Sequence, residues 1–197
     1  MSRRVVAWPA VMTGICGILA LAASAQERED GPLLPLRLTA IALDPSNVGS
    51  SQAGTLEITV ERWSTDAERQ RLLDALAEHG TSKLLSMLQK IRPRAASISA
   101  PGRLAWDIGY TQWQPGEDGG YRLVFASGRP MSLRELRANA RSRDYEFMVC
   151  EIHMGANGVG EGTLAPVAKI AYDKKRTRLE IENYASQPVR LTEVRAR

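Results

Sequence analysis

The chain has 197 residues, 44% hydrophobic and 24% charged, an ordinary globular composition. Its formal charge of +4 comes without a Lys/Arg cluster interleaved with aromatics, so no nucleic-acid partner is expected. The two cysteines, Cys16 and Cys150, stand on either side of a leader boundary, which excludes an internal disulfide once that leader is removed.

Residues 1–25 have the layout of a secretory signal peptide. Arg3 and Arg4 supply a positive start, and Val5 to Ala22 is mostly apolar and uncharged. Ala23-Ser24-Ala25 is a small-x-small cleavage pattern, which places the cut between Ala25 and Gln26. The alternative is a retained membrane anchor. The apolar run is about 18 residues, at the lower edge of a span, and Pro9 interrupts it. The expectation is therefore export to the periplasm or beyond, with no stable membrane span after cleavage.

Residues 26–53 read as a flexible leader carrying one short strand, Leu36 to Leu43. Asp44 to Ala53 is turn chemistry. A single domain then runs from 54 to 197. It opens on GTLEITVERWS, where Leu56, Ile58 and Val60 alternate with polar residues, as on a strand with one face in a core. Thr65-x-x-Glu68 is a capping box, and Asp66 to His79 follows as an amphipathic helix. Gly80 fits the stop of that helix, and Thr81 or Ser82 restarts a second with Leu84, Leu85, Leu88 and Ile91 on one stripe. Pro93 bars a smooth continuation.

Period two then returns. Ala95 to Ser99 is a short strand. Leu104, Trp106, Ile108 and Tyr110 alternate with smaller or polar residues, QPGEDGG (114–120) turns the chain, and Tyr121, Leu123 and Phe125 come back, which predicts a hairpin over 104–127. Ser132-x-x-Glu135 predicts a short helix over Leu133 to Asn139 in the most basic segment, Arg134 to Arg143. Further strands are expected at Tyr145 to Met154, Thr163 to Tyr172, Thr177 to Tyr184 and Val189 to Val194, with Asn157-Gly158 in a tight turn. Strands outnumber helices and follow one another through short turns. The fold class is therefore α+β and strand-dominated: a mostly antiparallel curved sheet, either a sandwich or a partly closed barrel, with a helical pair inserted after an early strand.

Three runs, ITVERWSTDAERQRLLDAL (58–76), DYEFMVCEI (144–152) and ENYASQPVRLTEV (182–194), resemble a group of uncharacterised secreted bacterial proteins over most of the mature chain. The resemblance implies a shared fold and export. It carries no activity and no catalytic residue.

Motifs that carry chemistry are few. HExxH, CxxC and GxSxG are absent, and there are only two histidines, so no metal or cofactor is expected. His79 suits the negative end of a helix dipole. Glu151 and His153 lie two apart on one strand and share a face that runs from an apolar end (Phe147, Val149) to a wet one, while Cys150 points the other way as a core residue. Trp106 is in phase with Leu104 and Ile108, and Trp113 is out of phase near a turn, which marks it as an exposed candidate for a ligand. GANGVGEG (155–162) is followed by a strand rather than a helix, so it reads as a hairpin and not a phosphate loop. The expected function is an exported, non-enzymatic domain that binds a small apolar ligand or an envelope or other protein partner, with Glu151, His153 and Trp113 as candidate contacts. The alternative is a hydrolase of envelope material working through carboxylates such as Asp107, Glu57, Glu61 or Glu151.

Overall fold

A computed structural model describes residues 31–43, 53–116, 118–129, 145–173, 178–183 and 187–197. The Ala25-Gln26 junction, the Leu133 to Asn139 helix and the Arg134 to Arg143 segment lie outside the described residues.

Among the described residues there are ten strands and two helices. The strands are β1 (Leu36–Leu43), β2 (Ala53–Val60), β3 (Ala96–Ser99), β4 (Trp106–Ile108), β5 (Tyr110–Pro115), β6 (Tyr121–Ser127), β7 (Phe147–Met154), β8 (Val159–Asp173), β9 (Arg178–Asn183) and β10 (Val189–Ala196). The helices α1 (Asp66–His79) and α2 (Thr81–Lys90) fall between β2 and β3. One antiparallel sheet runs β4-β3-β2-β1-β10-β8-β7-β6-β5, with β9 also on β8. It curls into a barrel that is nearly closed, with an unsealed seam between the terminal strands β4 and β5. Of the two shapes expected from sequence, the barrel is the one formed.

The strand assigned to the leader is integral to this sheet. β1 pairs β2 on one edge and β10 on the other, and buries Leu36, Leu38 and Ala40 in the barrel. Inward alternation continues with Ile58 and Val60, Ala96 and Ile98, Leu123 and Phe125, and Met148, Cys150 and Ile152. Leu191 and Val194 are three apart and would face opposite sides of a regular strand. A bulge at Thr192-Glu193, with Glu193 at φ 51°, turns both inward. The interior is thus filled by side chains, as in small barrels generally.

A second core lies outside the barrel. Phe147, Val149, Ala168 and Ile170 on the outer faces of β7 and β8 pack under Leu72 and Leu76 of α1 and Leu84 and Leu88 of α2. Each such buried leucine contributes about 1.5–3 kcal/mol relative to exposure, and these short helices need that burial to persist. The first half of β7, Phe147 to Cys150, is apolar on both faces for this reason. β8 is long enough to serve two neighbours. Its first half pairs β10, and beyond Pro166, where the register against β7 shifts, its second half pairs β9. A proline without an N–H is tolerated at such a break in the ladder. The β8–β9 ribbon runs on beside the helices, where Thr81 Oγ1 donates to the Ile170 carbonyl at 3.3 Å.

Thr65 caps α1 by accepting from the Glu68 N–H at 3.1 Å, while the Glu68 carboxylate accepts from the Thr65 N–H at 2.9 Å. Gly80, at φ 78°, joins the two helices in a backbone conformation that side chains resist.

Two sequence expectations fail between 104 and 115, for one reason. β4 and β5 are separate strands with Gly109 between them, so the predicted hairpin is only β5–β6 while β4 pairs β3. Gly109 presses against α2, where an added Cβ would stand 2.7 Å from the Leu88 carbonyl oxygen. The break moves the inward phase by one residue, from Ile108 to Thr111 and Trp113. Trp113 is consequently half-buried against the barrel core and not an exposed contact, with Gly31 lying over its indole. Leu104 precedes β4 and is 91% exposed.

Candidate functional site

The outer face of β5, β6 and β7 forms the floor of a groove. Parity and register decide its residues: Gln112 stands opposite Val124, Gln114 opposite Arg122, and Val124 opposite Glu151. The helical pair gives one wall through Leu72, Leu73, Leu76, Leu84 and Leu88, and the β8–β9 ribbon gives the other through Ile170, Leu179 and Ile181. Together they enclose a cavity of about 280 Å³. Its polar lining is small: Arg69, Tyr110, Gln112, Gln114 and Arg122. The Tyr110 hydroxyl donates to Gln112 Oε1 at 2.7 Å. Burial pushes the Tyr110 phenol up to about 12, against the pull of nearby Arg69, so it stays a neutral donor.

Arg122 also borders a second cavity, of about 610 Å³, at the turn end of β6, β7 and β8, where His153, Tyr121, Asn157 and Glu161 line it. Glu151 is bonded to Arg122, the residue the two cavities share. Its side chain is 9% exposed, and it accepts from Arg122 Nε while His153 Nε2 lies 2.8 Å from the same oxygen. Glu151 and His153, which share a strand face, are paired here, with His153 62% exposed and Glu151 buried. Cys150 faces the barrel core as expected, and burial, aided by the Glu151 charge, pushes its thiol far above the ordinary range. A thiol so placed is a poor nucleophile.

The other carboxylates do not join Glu151. Glu61 and Asp107 meet around the Arg94 guanidinium, at 2.7 and 2.9 Å, on a partly exposed face. Glu57 is near Arg197 at 3.9 Å. None of the four carboxylates proposed for a hydrolase lines either of these two cavities. His79 sits at the exposed end of α1, 3.7 Å from Glu78. Among the described residues, no group of three or more His, Cys, Asp and Glu is placed to hold a metal ion. No helix among them is long and apolar enough to cross a membrane.

Arg69, Tyr110, Gln112, Gln114 and Arg122 were not candidates from sequence. The alternation of Tyr121, Leu123 and Phe125 did carry one usable signal, since it sets Arg122 and Val124 together on the opposite face. No family model, curated protein or solved structure matches the chain.

Proposed function

We propose that this chain is an exported, non-enzymatic binding domain that holds a small apolar molecule in the groove between the helical pair and the outer face of the barrel. The observation that carries the proposal is the groove itself: a three-walled cavity of about 280 Å³ lined by leucine, isoleucine and valine side chains, with a few polar groups at its edge. Small-molecule sites have this character. A curved sheet binding through its interior is disfavoured, because that interior is packed with side chains. A protein partner would need roughly 1,200–2,000 Å² of buried surface, far more than this groove offers. Export rests on the basic-then-apolar pattern of residues 1–25 and on the resemblance to secreted proteins.

The test is titration with an environment-sensitive apolar naphthalene dye. Saturable one-to-one binding is expected. Val124→Trp, which fills the groove from its floor without entering the barrel core, should weaken that binding at least about tenfold while the melting transition stays cooperative. Dye binding that is absent, or indifferent to this substitution in a folded protein, would refute the proposal.

A further inference from the structure

We infer that the natural occupant of this groove is a single-chain aliphatic carboxylate of short to medium length, its head held between Arg69 of α1 and Arg122 of β6. The inference rests on the apolar-groove reading and adds the ligand's chemistry. The groove is lined by two guanidinium groups and by no carboxylate. Arg122 keeps its ion pair with Glu151, so the match is to the guanidinium groups on the lining and not to a net positive cavity: a molecule with an apolar body and one negative end fits it.

The two arginines come from different walls. Arg69 reaches in from the first turns of α1 and lies close enough to Tyr110 to influence its phenol. Arg122 is anchored by Glu151 through Nε, and among the described residues its two terminal nitrogens donate to no acceptor. Glu151 thus fixes the guanidinium plane and leaves its outer edge for a ligand. A planar fork of this kind matches the two oxygens of a carboxylate better than a point charge would. Gln112, Gln114 and Tyr110 also line the cavity with neutral polar atoms.

Volume limits the tail. At roughly 30 Å³ per water-sized group, 280 Å³ accommodates on the order of nine methylene-sized groups. A two-chain lipid is too large, and a carboxylate with only one or two carbons would leave the leucines and isoleucines uncovered. Each methylene that enters adds about 0.8 kcal/mol of burial, so the tail contributes most of the affinity and the arginines the selectivity.

Three probes of equal chain length separate these contributions: octanoate, 1-octanol and octylammonium, each titrated into the folded protein by calorimetry near neutral pH. Octanoate is expected to bind at least about tenfold more tightly than 1-octanol, and octylammonium more weakly than both. Arg122→Gln and Arg69→Gln should each remove most of the preference for octanoate over 1-octanol. Arg69→Gln is a substitution near a helix surface, so it reads out the head contact even if loss of the Glu151 partner unfolds the Arg122 variant. Equal binding of octanoate and 1-octanol overturns the carboxylate inference and leaves the apolar groove standing. Failure of all three probes to bind overturns both.

Discussion

Glu151 illustrates what burial demands of one carboxylate. Its side chain is almost wholly enclosed, between an arginine from the neighbouring strand and a histidine two residues along its own. The two partners differ in what they contribute. Arg122 is one-third exposed and hydrogen-bonds through Nε, whereas His153 is largely in water. Glu151→Gln should therefore cost about 1–3 kcal/mol, because it weakens a charge-assisted bond and leaves Arg122 uncompensated. His153→Ala should cost less than about 1 kcal/mol, as exposed pairs do. Urea denaturation of both variants checks the ranking, and equal losses would show that the histidine is the principal partner. The shared face of Glu151 and His153 was legible because parity along a strand is local. Arg122 was not, because its approach depends on the register of β6 against β7, set by chain 29 residues apart. Trp113 was assigned to the wrong face for a related reason: parity holds only while the strand is unbroken, and Gly109 breaks it.

At the scale of elements, α1 and α2 were readable to the residue at most of their ends, since capping box, glycine stop and leucine stripe are all short-range signals. The split between β4 and β5 was not, because it follows from α2 meeting Gly109. The α1 cap also makes stability depend on pH. The hydrogen bond from Arg62, and behind it that from the Thr65 backbone, hold the Glu68 carboxyl below its ordinary value despite some burial. A group whose value is depressed on folding stabilises the fold above its unfolded-state value, and that contribution is lost as pH falls through the folded-state one. Glu68→Gln, which can keep the cap hydrogen bond but loses the charge, should thus cost about 0.3–1 kcal/mol at neutral pH. The gap from the wild type should close as pH falls below about 4. Denaturant titrations at about pH 7 and about pH 3 measure both gaps. A gap that persists undiminished in acid would mean that the carboxylate charge has no part in the cap.

For the molecule as a whole, antiparallel pairing and strand dominance follow from short turns and period-two runs, but closure into a barrel does not. Closure depends on which strands end up adjacent, and β1 beside β10 joins segments from opposite ends of the chain. It also depends on how the gap between β4 and β5 is bridged. The connector from β2 to α1 lies along that gap. The Ser64 N–H donates to the Thr111 carbonyl at 2.9 Å, the Thr111 N–H donates to Ser64 Oγ at 3.1 Å, and the fully buried Thr111 hydroxyl donates to the Arg62 carbonyl at 2.7 Å. Across the same region Ser127 Oγ donates to the Asp107 carbonyl at 2.9 Å. These side-chain bonds stand where a strand ladder would close the barrel, so the seam should open before the rest of the sheet. Thr111→Val keeps the shape of the side chain and removes one donor, leaving the partly buried Arg62 carbonyl without that bond at a cost of about 1–2 kcal/mol. If the seam opens separately, the Ser64 and Thr111 amides should exchange with solvent roughly 5–30 times faster in the variant under native conditions. Amides of β7 and β8 that open only by smaller, local fluctuations should be unchanged. Equal acceleration at every slow amide would instead mean that the barrel has no weaker edge and unfolds as one unit.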